Sequence, residues 1–459
     1  MPATLRFLGG TGTVTGSRFL LQDGSTATLV DAGLFQGLKD LRRRNWEPFP
    51  FPADRLDAVV LTHAHLDHCG YLPALGRQGL SAPVLATAST RDLAALVLRD
   101  SAALQEEDAA YAARSGYSKH AQPEPLYDTA DVERVLPLIQ VVPFDQPVTV
   151  DGESPMQVTL HVAGHILGSA TVELEVAGRT VVLSGDLGRS EHPLLRPPAP
   201  RPSADIVLVE STYGNRLHGD DPAEQLGQVL SRCLGRGGVA VIPAFAVDRT
   251  EVVLMTLRKL MADGVVPQVP VYADSPMALG ALAVYRAAID GRAPDVRSGI
   301  RDGAFDPGDL REVHDAAGSK AINDPGHPCI IVSASGMAAG GRVVHHLKHL
   351  LPDPRNAVVL VGFQAAGTRG RALVDGASEL KMHGRYVPVR AEVAAVEGFS
   401  VHADADDILA WLGSAPDTPE VVYVVHGEPD ASAALAERIR ADLGWTAVVP
   451  RHSEIVRVD

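Results

Sequence analysis

The sequence predicts an α/β protein built from layered sheets, and three observations carry that expectation. Apolar runs of strand length recur through the first part of the chain, with glycine and aspartate turns between them. From about residue 206 strands and helices alternate, the pattern of a parallel sheet covered on both faces. Side chains able to bind a metal or move a proton stand at or just past the carboxyl ends of strands, where the sites of layered α/β proteins collect.

In order along the chain, Thr4–Gly10, Arg18–Leu21, Thr26–Asp31 and Ala58–His63 read as strands, and a long helix pattern covers Arg91–Arg114. Val158–His165, Thr171–Val176 and Thr180–Asp186 read as three more strands, the last two joined in a hairpin at Ala177-Gly178-Arg179. After the proline-rich stretch Pro193–Pro202 come strands at Ile206–Glu210, Val239–Pro243, Val269–Ala273, Ile330–Ser333 and Ala357–Val361. Helices at Pro222–Leu234, Arg249–Ala262, Pro276–Ile289 and Arg342–Leu351 fall between them. Residues Gly291–Pro328 are rich in Gly, Asp and Pro and read as an irregular excursion. The end returns to the earlier style, with strands at Val393–Glu397 and Val421–Val425 and a helix near Ala405–Leu412.

The chain has 459 residues, 46% hydrophobic and 21% charged, which suits two or three ordinary globular domains. No apolar run approaches a membrane span, and the opening residues lack the pattern of a signal peptide. Three cysteines are too few for a disulfide framework, so a reducing cytoplasm is the expected compartment. The net charge of −15 argues against a broad basic nucleic-acid footprint but leaves room for a local one. Arg42, Arg43 and Arg44 are consecutive, and Arg369, Arg371, Arg385 and Arg390 cluster; each group reads first as solvated surface.

The strongest chemical signal is His63-Ala64-His65-Leu66-Asp67-His68. Three imidazoles and a carboxylate crowded at a strand end would repel one another if charged, and a divalent cation removes that conflict. His165 after Gly164 and Asp186 after Gly185 also sit at strand ends where glycine leaves room. Glu210, His402 and His426 are placed alike.

These residues fall into the motifs of a known family. Leu29-Val30-Asp31-Ala32-Gly33, His63–His68, His165 and Asp186 resemble the four motifs of the metallo-β-lactamase superfamily. Glu210 in Glu-Ser-Thr-Tyr-Gly, His402 in Phe-Ser-Val-His-Ala-Asp and His426 in Val-His-Gly-Glu resemble the three further motifs of its β-CASP branch. Pro243-Ala244-Phe245-Ala246, Asp274-Ser275-Pro276-Met277, Ser333–Met337 and Gly367-Thr368-Arg369 resemble segments of that branch's cap. The match covers essentially the whole chain. It is most similar in kind to the RNA-cleaving members: the nuclease subunit of the cleavage and polyadenylation specificity factor and its bacterial and archaeal relatives. One departure is Asp248, where relatives often carry glycine.

The resemblance implies a metallo-β-lactamase αββα sandwich formed by residues 1–211 and 396–459, with a β-CASP cap of mostly parallel sheet at 212–395. It implies two divalent metal ions, zinc by ligand type with manganese as the alternative. One ion would be held by His63, His65 and His165 and the other by Asp67, His68 and His426, with Asp186 bridging and Asp31 orienting a ligand histidine. His402, oriented by Glu210, is the implied general acid, and Asp67 counts among the catalytic residues as well as the ligands. Ser335, Arg249, Arg369 and Ser400 are the candidate phosphate or RNA contacts. The implied substrate is single-stranded RNA, cut internally, with a 5′-to-3′ exonuclease or a DNA-processing nuclease as alternatives. A thioester or lactam hydrolase is a distant alternative, because such enzymes do not need the last three motifs or the cap. A non-catalytic scaffold is the reading from outside the enzymes, and the complete ligand set argues against it. A homodimer is a further expectation.

Other residues carry less. His345 and His349 have helical metal-pair spacing, but the adjacent His346 and Lys348 suggest a polar helix face. His383 reads as a turn between strands, and Cys69 as a small buried thiol. The loop with Gly10, Gly12 and Gly16 fits neither a dinucleotide fingerprint nor a P-loop.

Overall fold

The computed structural model describes residues 2–115, 123–219, 222–301, 303–362, 364 and 367–459. They form two compact units, one of residues 1–217 and 402–459, the other of residues 218–401.

The first unit holds two seven-stranded sheets. One runs Ile455–Arg457, Thr4–Phe7, Phe19–Asp23, Thr26–Val30, Ala58–Val60, Val84–Ala86 and Ile139–Val141 in spatial order. The other runs Ala447–Val448, Val421–Val424, Ile206–Val209, Arg179–Leu183, Ala170–Val176, Met156–Val162 and Val148–Val150. Alternation along the strands builds the layers. Ile206 and Leu208 join Leu5, Phe7, Phe19 and Val30 in the core between the sheets. Val207 and Val209 point the other way, onto Ile408, Leu412 and Leu435 of the helices Ala405–Leu412 and Pro429–Arg438. This strand is buried on both faces, which is why its sequence is an unbroken apolar run. Each such Leu or Val contributes roughly 1.5–3 kcal/mol by leaving water. Helices Leu72–Arg77, Ala88–Ser115 and Thr129–Val135 pack with one another, and Ala88–Ser115 lies against the edge strand of the first sheet. The expected hairpin is present: Val176 pairs with Arg179, and Ala177 and Gly178 both have positive φ, 52° and 74°.

The second unit is built on six strands in the order Leu310–Glu312, Val271–Ala273, Cys329–Ser333, Val239–Pro243, Ala357–Leu360 and Glu392–Ala395, with every pairing parallel. A separate antiparallel ribbon, Glu379–Met382 with Arg385–Pro388, departs from the expected parallel character; His383 and Gly384 make its turn. Two further differences from expectation are local. The stretch read as irregular carries the edge strand Leu310–Glu312 and a helix, Ala316–Ala321, whose start is capped by Asp315 accepting from Gly318 N at 2.7 Å. A three-residue, half-exposed edge strand shows no periodicity of its own; its partner strand supplies the order. Glu392–Ala395, read with the chain's last segment, is instead the other edge of this parallel sheet. Asp248, at the position where relatives often carry glycine, has a φ of +67°, and its carboxylate accepts from the Tyr285 hydroxyl at 2.9 Å.

Candidate metal centre

The His63–His68 run leaves the strand Ala58–Val60 and turns into the short helix Leu66–Cys69. His165 and Asp186 each follow a glycine with positive φ. A Cβ on Gly164 would lie 2.4 Å from the Arg196 carbonyl oxygen, so the turn that presents His165 requires glycine. His426 follows Val421–Val424, its backbone also at positive φ. These strand ends bring His63, His65, Asp67, His68, His165, Asp186, His426, Glu210, His402 and Asp31 together within the first unit.

Two donor groups result. In the first, His63 Nε2 lies 3.2 Å and His165 Nε2 3.3 Å from His65 Nδ1, and both Nε2 atoms are 3.6 Å from Asp186 Oδ2. Nitrogens bound at about 2.0–2.1 Å to one tetrahedral cation are separated by about 3.3 Å, so these spacings fit a shared ion. In the second, His68 Nε2 is 3.3 Å from Asp186 Oδ1 and 4.0 Å from Asp67 Oδ2, and His426 turns Nδ1 toward Asp186 Oδ1. Asp186 thus turns one carboxylate oxygen to each group.

Three buried atoms in the second group have no hydrogen-bond partner: His68 Nε2, Asp186 Oδ1 and His426 Nδ1. The last two approach to 2.7 Å without hydrogen-bond geometry. Lone pairs crowded in this way call for a ligand, and a cation satisfies them all.

The ring orientations are set from behind. His68 Nδ1 donates to Asp31 Oδ2 at 2.7 Å, and Asp31 also accepts from Thr62 N at 2.8 Å and from the Thr62 hydroxyl. The Thr62 hydroxyl lies 3.0 Å from His63 Nδ1. His426 Nε2 donates to the Val14 carbonyl at 2.9 Å, and its backbone N–H to the Gly10 carbonyl at 2.6 Å. Metal-binding histidines are held by such contacts through the nitrogen that does not face the ion. Sequence reasoning missed Thr62 and the glycine-rich loop here; the density of glycine around Val14 was the available signal.

Electrostatics agree. Burial lowers the pKa of His63 and His165 well below the usual histidine value, keeping them in the neutral form that binds metals. Burial also opposes charge on His68 and His426, but Asp186, with Asp31 and Asp67, outweighs it: His68 is raised well above its usual value and His426 is pushed up to about 10. The cluster attracts positive charge, which a cation would supply in place of protons.

Beside the donors, His402 Nδ1 faces Glu210 Oε1 at 3.3 Å, and its ring lies 4.3 Å from that of His165. Glu210 is fully buried and already accepts from Leu187 N at 2.7 Å and Thr212 N at 3.2 Å. Its carboxylate is therefore fixed before it meets His402. Burial disfavours the charged imidazole of His402, yet Glu210 and Asp186 raise its pKa above the usual value.

The four candidate phosphate or RNA contacts lie in the second unit. Arg249 is buried and its guanidinium donates to the Val361 carbonyl, inside the unit's own fold. Arg369 donates to the carbonyls of Ala339 at 2.8 Å and Ala338 at 3.2 Å. The Ser335 hydroxyl accepts from Ala339 N at 3.1 Å, and Ser400 is buried. In the helix Arg342–Leu350, His346 is buried and bonded to Asp274 and Asn323, so the expected polar face holds for His345 and His349 only.

Facing sheets with helices outside them, and a cluster of histidines and aspartates at the strand ends, define a metallo-β-lactamase-fold hydrolase interrupted by a second domain. Residues 12–212 match the metallo-β-lactamase superfamily, 250–373 the β-CASP domain, and 386–450 the Zn-dependent metallo-hydrolase RNA specificity domain. Ribonuclease TTHA0252 of Thermus thermophilus is 37% identical over 428 residues, covering 92% of this chain and 93% of that protein. Transcription termination factors FttA of Methanocaldococcus jannaschii and Methanosarcina mazei are 32% and 34% identical, each alignment covering 98% of this chain and 71% of the relative. A crystal structure of a protein of unknown function from Enterococcus faecalis shares the fold, with a TM-score of 0.52 and 13% identity over the full length of both chains. The chain belongs to the β-CASP family of the metallo-β-lactamase superfamily and is a hydrolase. Among the described residues no helix is long and apolar enough to cross a membrane.

Proposed function

We propose that this protein is a metal-dependent ribonuclease that cuts single-stranded RNA internally. The observation that carries the reading is the convergence of two donor groups on the two oxygens of Asp186, with the Glu210–His402 pair beside them. Two divalent ions held by these residues would supply Lewis acidity toward a phosphoryl group and a nucleophilic water at neutral pH. His63, His65 and His165 would hold one and Asp67, His68 and His426 the other, with Asp186 contributing to each group; the nitrogen-rich donor set would favour zinc. Asp31 fixes the His68 ring through Nδ1 and leaves Nε2 facing the donor group. Glu210 holds His402 by Nδ1 and favours its charged form, leaving Nε2 to protonate the departing 3′-oxygen. The products carry a 5′-phosphate and a 3′-hydroxyl. RNA is the substrate class because the chain resembles a ribonuclease along nearly the full length of both and carries an RNA specificity domain.

Circular and linear single-stranded RNA, with and without chelator, test the reading. The expected result is a linearised circle without chelator and no cleavage with it. An intact circle beside a degraded linear strand would replace internal cutting with exonuclease action. Faster loss of single-stranded DNA than of RNA under matched conditions would overturn the ribonuclease reading.

A further inference from the structure

The three consecutive arginines at 42–44 are not used by the chemistry above, and the structure gives them a setting. Residues 32–46 follow the strand Thr26–Val30 and Asp31, and they begin hydrogen-bonded to the backbone of the His63–His68 turn. Ala32 N donates to the His68 carbonyl and Leu34 N to the Leu66 carbonyl. The segment then rises into a short helix, Lys39–Arg43, and a turn, Arg44–Trp46. Its crest is exposed: Leu38 is 72% and Trp46 63% accessible, and Lys39 and Arg42 in the same short segment are at least partly exposed too.

An exposed tryptophan on a loose loop would mean little, but this one is anchored. Asn45, between Arg44 and Trp46, is buried. It accepts from Phe35 N at 2.9 Å and donates to the Phe35 carbonyl at 2.8 Å. Arg18, itself buried, donates to Asn45 Oδ1 at 3.2 Å and to the Gly33 carbonyl at 2.7 Å. Its guanidinium stacks 3.8 Å from the Tyr71 ring centroid and 5.0 Å from that of Phe35. The fold thus commits a buried arginine and a buried asparagine to presenting an indole ring to solvent.

Charge selects the occupant. Arg43 pairs with Asp40 at 3.2 Å. Among the described residues Lys39, Arg42 and Arg44 have no ion pair; Arg44 lies over the Phe35 ring and close to His452. Three cations in the same short exposed segment as one accessible aromatic, on a protein of net charge −15, match a strand that is anionic along its backbone and flat at its bases. A neutral protein partner would gain nothing from the cations.

We infer that Lys39, Arg42, Arg44 and Trp46 form a platform for single-stranded RNA, with a base stacked on Trp46 and neighbouring phosphates on the cations. The inference rests on the ribonuclease reading for its ligand, and it places a sequence-tolerant grip on the strand at a segment hydrogen-bonded to the His63–His68 turn.

The test uses the full chain in chelator, which stops turnover, titrated into end-labelled single-stranded RNA and followed by anisotropy. Trp46→Ala should weaken binding about tenfold, and Trp46→Phe should restore most of it. The Arg42→Ala/Arg44→Ala variant should flatten the dependence of log affinity on log salt by roughly 0.7 for each phosphate that is no longer neutralised. RNA should quench tryptophan emission in the unaltered protein and much less in Trp46→Phe, where Trp411 and Trp445 remain. Unchanged affinity, salt slope and quenching in these variants would overturn the platform. The two proposals fail separately. RNA bound but never cleaved after metal is restored removes the ribonuclease reading alone, and RNA cleaved with normal binding by the variants removes the platform alone.

Discussion

Each unit of the molecule contains a buried histidine–aspartate pair: Asp31 with His68 in the first, Asp274 with His346 in the second. The two pairs share the same chemistry, an imidazole against a carboxylate, at 2.7 and 2.6 Å. What differs is the far side of the ring. His346 Nδ1 meets Asn323 at 2.9 Å, and Asp274 also accepts from Arg342 at 2.6 Å and Ser319 at 2.6 Å, so every donor and acceptor of the pair is used. These partners outweigh burial and hold the Asp274 carboxyl below the usual range. His68 Nε2 has no such partner and faces Asp186. The two pairs therefore differ in whether a ring nitrogen is left over, not in the pair itself.

Asp186→Ala removes the carboxylate that His68 Nε2 faces. If the spare lone pairs are metal ligands, purified protein should fall from up to two ions per chain to almost none, with RNA cleavage lost while far-UV circular dichroism is unchanged. Two ions retained by that variant would end the bridging assignment.

Next comes His402→Ala, which alters a histidine beside the proposed ligands and not among them. It should keep the metals and lose about 10²–10⁴-fold in cleavage rate, the usual contribution of a general acid. Glu210→Gln should show a smaller loss of the same kind. Near-normal rates in His402→Ala would sink the acid role.

The two aspartates can then be set against each other. Asp274→Asn should cost on the order of 3 kcal/mol in urea unfolding, because it opens a closed buried network, yet leave metal content intact. Asp31→Asn should reverse the pattern, weakening metal affinity about 10–100-fold in a chelator competition. If the two variants behave alike in both assays, the pairs do not differ in role.

The smallest effect belongs to a third arrangement, nearer the surface. His161 lies between Asp145 at 2.7 Å and Glu173 at 2.8 Å. Burial disfavours its charge, but the two carboxylates raise its pKa above the usual value. Protonated His161 is favoured in the fold. Its contribution is full below about pH 6.5, the ordinary histidine value, and fades as pH rises through the raised folded value. His161→Gln should thus cost under about 1 kcal/mol at pH 6 and nothing measurable at alkaline pH, read from paired urea curves. A cost that grows with pH would reverse the assignment.

The sequence by itself determined the donor chemistry. His63, His65, Asp67 and His68 stand within six residues, and a strand entering a helix can only present them together. His165, Asp186, Glu210 and His426 were legible for a related reason: each closes an apolar run, and apolar runs of that length become strands whose ends share one edge. The parallel sheet of the second unit was legible from the same alternation. Pairings made across the chain were not. Only the tertiary structure turns the Val14 carbonyl onto His426, buries Arg249 against Val361, closes His346 in a network and lifts Trp46 into solvent over a buried Asn45. Local pattern fixes which face of an element is buried, because burial repeats with the period of the backbone. Which partner meets a side chain there depends on segments elsewhere in the chain, from 10 to 412 residues away, and no period records them.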